Sequence, residues 1–252
     1  MKTFVSTLTF LLTLATSHAD AQAGTTVHAK NIVIVHGAFA DGSGWEGVSR
    51  ILTNDGYNVT IVQNSTLSLA ADVTATQNVL ANQNGPVVLV GHSYGGEVIT
   101  QAGNDPKVRS LVYVAAFVPD AGESLQSLTA NPNPSVQGPP ILPPKNGFLL
   151  LDPAKFPEAF AADVNRAKAQ FMATSQVPLA VQTFTDQITT VAWKTKPSYY
   201  IISSEDRMIP PAAEKMMATR ANSVQFVFKA SHAVYISQPY AVAKVIVRAA
   251  SR

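Results

Sequence analysis

The 252-residue sequence contains no cysteine, which excludes disulfide bonds, a thiol nucleophile and cysteine-based metal sites. Charge is also scarce, since only 13% of the residues are charged and the formal net charge is +2. A chain so near to charge balance, without a long basic run, is not typical of a nucleic-acid or anionic-membrane partner. What is plentiful is apolar residues, 46% of the chain, enough for the core of one α/β domain or of two very small domains.

The N-terminal segment has the pattern of a secretory signal peptide. Lys2 precedes the apolar stretch FVSTLTFLLTLATS, and the small-residue segment HADAQAG follows it. Cleavage after Ala21 or after Ala23 satisfies the small-residue rule, and we assign residues 1–23 to the signal. A buried N-terminal helix is the alternative. The apolar stretch is shorter than the roughly 20 residues of a membrane span. We therefore expect an exported protein, periplasmic or extracellular, without a membrane span.

Strand patterns alternate with helix patterns beyond the signal. Apolar, β-branched runs predict strands, and the segments between them carry apolar residues at helical spacing. The predicted strands are NIVIVHG, YNVTIVQ, PVVLVG, VRSLVYVAAF, SYYIISSED and SVQFVFKA. This βαβα order indicates an α/β fold with a parallel sheet and right-handed crossovers.

The alternation is interrupted after the fourth strand. A proline-rich stretch, NPNPSVQGPPILPP, is followed by amphipathic segments such as FPEAFAADVNRAKAQFMA. Because this interruption is too long for a plain loop in a compact domain, we predict a helical lid at about 120–197. The mature chain, 24–252, is then a single domain whose core comprises 31–119 and 198–252.

The stretch VLVGHSYGG raises the question of what Ser93 does. A tight strand-to-helix turn, which favours small residues, is one interpretation. The other is a G-x-S-x-G nucleophile elbow, in which the turn holds the serine hydroxyl above the edge of a sheet. A serine is a poor nucleophile unless a base takes its proton and a third group orients the base.

Candidates for that base and that acid occur at later strand ends. His232, in KASHAVYISQP, follows the last predicted strand, and Asp206, in SSEDRMIPP, follows the strand before it. Open α/β sheets place their sites at the C-terminal ends of strands, and one class of triad runs in the order Ser, Asp, His. We therefore predict that Ser93 is the nucleophile, Asp206 the acid and His232 the base.

Several of these residues have other interpretations. Asp206 can cap the helix that follows it, Glu205 is typical of a solvated surface charge, and Asp120 is a competing acid after the fourth strand. His36 and His92 lie beside glycines and are interpreted as hydrogen-bonding or packing groups. With so few ligand-type residues near the nucleophile, we expect no metal and no cofactor.

A hydrolytic serine also needs two preset N–H donors for the developing negative oxygen. The segment HGAF, at the end of the first strand, supplies the backbone N–H of Ala38, and the residue behind the nucleophile supplies that of Tyr94. A plain turn is the alternative for HGAF. Candidate pocket walls are Phe39, Trp45, Phe148 and Leu149, although most residues of these types are simply core.

Together, IVIVHGAFADGSGW, VVLVGHSYGG, SSEDRMIPP and SHAVYISQP resemble the α/β-hydrolase superfamily. The resemblance covers nearly all of the mature chain and points to the small plant methyl-salicylate-type esterases and hydroxynitrile lyases with their bacterial relatives. It implies a parallel core of about six strands, without the first hairpin of larger members. It also implies triad roles for Ser93, Asp206 and His232, and oxyanion roles for Ala38 and Tyr94.

The resemblance leaves several functions to compare. The first is hydrolysis of a small apolar or aromatic carboxylic ester through an acyl-enzyme. The second is a hydroxynitrile lyase, but in that branch a lysine follows the catalytic histidine and a threonine follows the first strand. Here the corresponding residues are Ala233 and the pair Gly37-Ala38, as in the esterases. Amidases, lactonases and a non-catalytic receptor for small ligands are the remaining alternatives.

Overall fold

The computed structural model describes Met1, residues 28–130 and residues 138–251. The predicted signal peptide, Met1 apart, therefore lies outside the described residues. The strands are β1 (Asn31–Val35), β2 (Asn58–Val62), β3 (Val87–Ser93), β4 (Val108–Ala116), β5 (Phe148–Leu149), β6 (Leu179–Ala180), β7 (Ser198–Ser203) and β8 (Val224–Phe228). Within the described residues, six of them form one sheet in the order β2-β1-β3-β4-β7-β8, and every neighbouring pair is parallel.

Burial along the strands follows their place in the sheet. All residues of the central strands β1 and β3 are buried, because helices cover both faces of a parallel sheet. The outer strands β2 and β8 contain exposed or half-buried residues. The C-terminal ends of β1, β3, β7 and β8 lie at one edge of this parallel sheet, where Ser93 ends β3 and the loops after β1, β7 and β8 carry Ala38, Asp206 and His232.

Helices connect the strands and pack on the sheet. They are α1 (Glu46–Asn54), α2 (Leu69–Ala81), α3 (Gly95–Ala102), α4 (Leu125–Thr129), α5 (Phe156–Phe160), α6 (Arg166–Thr174), α7 (Val181–Thr185), α8 (Pro211–Arg220), α9 (Val234–Ser237) and α10 (Pro239–Ala250). Helix α1 packs against α10, and α2 packs against α3. Among the described residues, no helix combines the length and the apolar character that crossing a membrane requires.

The segment between β4 and β7 is not purely helical, in contrast to the expected helical lid. It contains the short helices α4 to α7, but β5 and β6 also form an antiparallel pair, with Leu149 opposite Leu179. Left-handed backbone at Asn146 (φ 53°) and Gly147 (φ 83°) makes a turn before β5. The chain leaves this turn in an extended conformation, and the sequence analysis missed this turn.

Candidate active site

Ser93 ends β3 in a left-handed conformation, with φ 52°. This conformation costs a non-glycine residue about 1–3 kcal/mol, and such strain is found mainly where function needs it. The turn closes tightly onto its surroundings, since a Cβ atom on Gly91 would lie 2.5 Å from the carbonyl oxygen of Gly95. The glycines of VLVGHSYGG thus satisfy the packing of a turn, but that packing gives no reason for a strained serine. The geometry is that of a nucleophile elbow.

His232 and Asp206 are in direct contact, as the sequence analysis predicts. His232 Nδ1 lies 2.6 Å from Asp206 Oδ2, and neither side chain is exposed to solvent. The other oxygen, Asp206 Oδ1, accepts the backbone N–H groups of Met208 at 2.6 Å and Ile209 at 2.9 Å. The capping interpretation and the catalytic interpretation of Asp206 are therefore compatible, because each uses a different oxygen.

This arrangement fixes the tautomer of His232. A carboxylate oxygen accepts the proton on Nδ1, so the neutral ring carries a lone pair on Nε2. Within the described residues, His232 Nε2 is buried and makes no hydrogen bond, which means that Ser93 Oγ is not bonded to it in this conformation. Catalytic hydrogen bonds are often long in enzymes without substrate and tighten when substrate binds. The triad roles of Ser93, Asp206 and His232 stay predictions.

His92 joins the elbow to the histidine loop. Its Nε2–H donates to the carbonyl oxygen of His232 at 3.0 Å, and the two rings lie 4.6 Å apart. Burial, followed by the nearby charge of His232, holds the pKa of His92 well below its ordinary value, so His92 stays neutral. His36, whose pKa burial also lowers, donates from Nδ1 to the carbonyl oxygen of Gly37 at 2.9 Å. Both histidines thus have the hydrogen-bonding roles that the sequence analysis expects.

The HGAF loop lies directly against the elbow. A Cβ atom on Gly37 would meet Ser93 Cβ at 2.7 Å, so only glycine allows this approach. Phe39 turns the loop with φ 61°, and Ala38 and Tyr94 line the same pocket as Ser93. Tyr94 is the N-cap residue of α3, where the helix dipole favours negative charge. In the described part of the chain, neither of these two backbone N–H groups donates to a protein acceptor.

A narrow pocket of about 40 Å³ adjoins Ser93, whose exposed fraction is 8%. Its walls come from the core and from the segment between β4 and β7, and they include Phe39, Leu125, Ile141, Leu179, Phe184 and Met208. The lining is largely apolar.

The structure brings one of the four predicted wall residues, Phe39, into this lining. Trp45 instead stacks on Tyr235 in the core at 4.6 Å between ring centres. Phe148 is 37% exposed, and Leu149 contributes only as the strand partner of Leu179. Met208 and Ile209, which follow Asp206 in the sequence, are pocket walls that the sequence analysis did not name. The apolar pair in SSEDRMIPP is the sequence pattern from which they could have been found.

The other acidic candidates lie elsewhere. Asp120 binds Lys194 at the surface, and Glu205 pairs with Lys229 at 3.6 Å with both side chains exposed. Neither contacts His232, so the structure supplies Asp206 as its acid partner. The described ranges contain no cluster of three or more His, Asp or Glu residues that could hold a metal ion.

Two further carboxyl groups are buried, and the sequence analysis missed both. Glu214 accepts the backbone N–H of Ser203 at 3.1 Å, and burial together with the charge of Asp206 raises its pKa well above the ordinary value. Glu97, in the first turn of α3, has no hydrogen bond to either carboxyl oxygen within the described residues, and burial raises its pKa likewise. Both shifts favour the protonated, uncharged form of the carboxyl group.

The sequence matches the model of the alpha/beta hydrolase family over residues 32–245, and the chain belongs to this family. It is 38% identical over 112 residues to a carbendazim hydrolyzing esterase of Nocardioides sp. (strain SG-4G), a match that covers 39% of this chain and 46% of that protein. The chain thus aligns with less than half the length of that curated relative.

Solved structures share the fold at low identity. A pyrethroid hydrolase from Sphingobium faniae JZ-2 has a TM-score of 0.75 at 23% identity, covering 88% of this chain and 97% of that one. A methylesterase, MES16 from Arabidopsis, has a TM-score of 0.70 at 20% identity, covering 87% and 98%. The predicted superfamily and fold class are confirmed, and the predicted branch is among the neighbours in fold.

Proposed function

We propose that this protein is an exported serine hydrolase that cleaves carboxylic esters through Ser93, His232 and Asp206. The observation that carries the proposal is the buried 2.6 Å contact between His232 Nδ1 and Asp206 Oδ2, which leaves Nε2 with a free lone pair. The strained backbone of Ser93, at the end of the adjacent central strand, supports its role as nucleophile. Export rests on the signal-peptide pattern of residues 1–23.

Acylation begins when Ser93 Oγ attacks the ester carbonyl carbon and His232 Nε2 takes the hydroxyl proton. Asp206 stabilises the imidazolium that forms, without taking the proton itself. The negative carbonyl oxygen is held by the backbone N–H groups of Ala38 and Tyr94. Loss of one such donor typically costs about 3–4 kcal/mol of transition-state stabilisation. When the carbon–oxygen bond breaks, His232 gives its proton to the departing alcohol, and the acyl group stays on Ser93.

Deacylation repeats these steps with water as the nucleophile. His232 Nε2 takes a proton from the water that attacks the acyl carbon, and the same two N–H groups hold the oxygen. The proton then returns to Ser93 Oγ as the carboxylic acid leaves. The neutral state of His92 supports this cycle, because a charged neighbour would disfavour the imidazolium form of His232.

The proposed substrates are esters with small apolar or aromatic groups. The apolar pocket walls support this class, and they offer no charged partner for an ionic substrate. One relative is named for carbendazim hydrolysis and one fold neighbour for pyrethroid hydrolysis. Carbendazim, a pyrethroid and a chain-length series of p-nitrophenyl esters form the assay panel. Matched amides and lactones in the same panel test the amidase and lactonase alternatives.

Ser93→Ala tests the proposal, because without Oγ the acyl-enzyme cannot form. We expect ester hydrolysis to fall by about 10³-fold or more while circular dichroism stays unchanged. A fluorophosphonate probe is expected to label the wild-type protein at Ser93, located by peptide mass spectrometry, and to leave Ser93→Ala unlabelled. Labelling at another residue, or activity of Ser93→Ala within tenfold of the wild type, would refute the nucleophile assignment.

A further inference from the structure

The carboxylate of Asp72, on helix α2, connects the elbow to the loop that precedes this helix. Asp72 is fully buried, and its Oδ2 accepts the phenol O–H of Tyr94 at 2.7 Å. The same carboxylate accepts the backbone N–H of Ser65 at 2.7 Å, its hydroxyl at 3.0 Å and the backbone N–H of Thr66 at 3.1 Å. A carboxylate that accepts several bonds in a buried place fixes all of its donors at once.

Thr66 in turn holds the cover, by which we mean the described residues between β4 and β7 that line the pocket, such as Leu179 and Phe184. Its backbone is left-handed, with φ 57°, which is a strained conformation for a β-branched residue. Its hydroxyl donates to the carbonyl oxygen of Pro178 at 2.6 Å, and its own carbonyl accepts the backbone N–H of Ala180 at 2.9 Å. Leu179, between these two contacts, lines the pocket beside Ser93. The hydrogen bonds to Asp72, together with those to Pro178 and Ala180, hold this strained residue in place.

Tyr94 is held equally firmly at the other end of the network. Its ring is completely buried, and burial together with the charge of Asp72 raises the pKa of its phenol, which stays a proton donor. Its backbone carbonyl accepts the N–H of Glu97 at 2.9 Å, in the first turn of α3. The bond to Asp72 fixes the phenol end of the side chain.

We propose that Asp72 is a positioning residue that sets the Tyr94 backbone N–H for the oxyanion and, through Thr66, sets the pocket wall at Leu179. This proposal rests on the proposed function, in which Tyr94 supplies one of the two oxyanion donors. Asp72 touches neither the substrate nor the reacting atoms. It acts through the two residues that its carboxylate joins, so one side chain ties the oxyanion site to the pocket cover.

Asp72→Asn tests the proposal with little change of volume. The amide keeps one accepting oxygen but replaces the other by an NH₂ group, which cannot accept the phenol proton of Tyr94 or a backbone N–H, and the negative charge that strengthens the remaining bonds is lost. Misplacing one oxyanion donor is expected to lower kcat by about 10- to 100-fold, with KM changed less than about threefold. The affinity of an aryl boronic acid, which forms a tetrahedral adduct on the nucleophile, is expected to fall in parallel with kcat/KM. The inhibition constant of the carboxylic acid product is expected to stay near the wild-type value. If Asp72 had only a structural role, the affinities for the boronic acid and for the product would fall together.

Tyr94→Phe and Asp186→Asn complete the experiment. Tyr94→Phe removes the shared bond but leaves Asp72 three donor groups, so it is expected to fold even if Asp72→Asn does not. Its kcat and its boronate affinity are expected to fall together. The double variant is expected to be no worse than Asp72→Asn. Asp186→Asn is the matched control, because Asp186 Oδ2 accepts Leu69 N–H at 2.9 Å and so ties the same segment to the core without contacting Tyr94. Its boronate affinity is expected to stay within about threefold of the wild type.

The outcomes separate this proposal from the proposed function. If Tyr94→Phe, or a folded Asp72→Asn, kept the boronate affinity and the kcat of the wild type, the positioning role would be refuted and the proposed function would stand. Equal losses of kcat and boronate affinity in Asp186→Asn would also refute the positioning role, because any loosening of the cover would then explain the losses. A wild-type protein that neither hydrolyses esters nor reacts with the fluorophosphonate would refute the proposed function, and the positioning role with it.

Discussion

Replacing Glu97 by glutamine is expected to change how the stability of the protein depends on pH. Glu97 lies in the first turn of α3, where the helix dipole favours a negative charge by about 0.3–1 kcal/mol. Its side chain is fully buried without a hydrogen-bond partner among the described residues, and removing a charge from water costs several kcal/mol. Desolvation is the larger effect, so the pKa of Glu97 is raised well above 4.5, and the negative charge of Asp186 raises it further.

The sign of the effect follows from proton counting. Above pH 4.5 the unfolded chain loses the Glu97 proton while the folded protein keeps it. The folded state therefore binds more protons, and the free energy of unfolding falls as pH rises, by up to about 1.4 kcal/mol per pH unit until the folded pKa is reached. The raised pKa of Glu214 changes the free energy of unfolding with pH in the same direction. Glu97→Gln has no proton to lose, so it removes the contribution of Glu97 to this slope.

The buried histidines have the opposite sign. Burial lowers the pKa of His36 and of His92, so below pH 6.5 the unfolded chain takes up protons that the folded protein does not bind. Stability from these groups is present above pH 6.5 and is lost as pH falls below that value. The carboxyl groups of Glu97 and Glu214 lower the free energy of unfolding above pH 4.5, and His36 and His92 lower it below pH 6.5. Maximum stability is therefore expected between pH 4.5 and 6.5.

Urea unfolding followed by tryptophan fluorescence, at pH values from 4.5 to 9, measures the slopes. Above pH 4.5 the free energy of unfolding of Glu97→Gln is expected to rise relative to that of the wild type, by up to about 1.4 kcal/mol per pH unit until the folded pKa of Glu97 is reached. Glu46→Gln, at an exposed position on α1, is the matched control and is expected to run parallel to the wild type. Parallel curves for Glu97→Gln and the wild type would contradict the assignment of a buried neutral carboxyl group.

Two other substitutions address the site itself. Asp206→Asn is expected to lower kcat/KM by about 10³- to 10⁴-fold through the wrong histidine tautomer, and Glu205→Gln by less than about threefold; comparable losses would place the acid wrongly. Gly37→Ala puts a methyl group 2.7 Å from Ser93 Cβ and is expected to lower kcat by about tenfold or more, measured with the same esters. Gly138→Ala adds its methyl group in open space and is expected to leave kcat unchanged, so a comparable loss there would remove the steric explanation.

The sequence predicted the parts of the site that depend on strand order. Ser93, Asp206 and His232 each follow a recognisable strand, and the ends of parallel strands meet at one edge whatever fills the loops between them. The contact between Asp206 and His232 follows from that topology. The hydrogen bonds of His36 and His92 were likewise predictable, because both residues lie at tight turns beside the elbow.

The pocket walls and the buried acids depend on information that the sequence pattern does not carry. Which residues of the cover face Ser93 depends on the turn at Gly147 and on the pairing of β5 with β6, so aromatic and aliphatic character alone did not find Leu179. Single acids in helices, such as Asp72 and Glu97, are typical of solvated helix starts. Their burial comes from contacts distant along the chain, which single-residue patterns do not record.

The small volume of the pocket also limits how tightly a large ester can bind. A space of about 40 Å³ is far below the 300–1,000 Å³ that holds a drug-sized ligand, and Leu179 and Phe184 are part of its wall. Such a substrate needs a wider pocket than this one and binds to protein molecules in which the cover has moved aside. Its apparent dissociation constant is then the intrinsic constant divided by the fraction of protein molecules in this open state. If one molecule in a hundred is open, about a hundredfold of affinity is lost before any contact is made. Selectivity among esters is then set as much by how far the cover must open as by the chemistry of the triad.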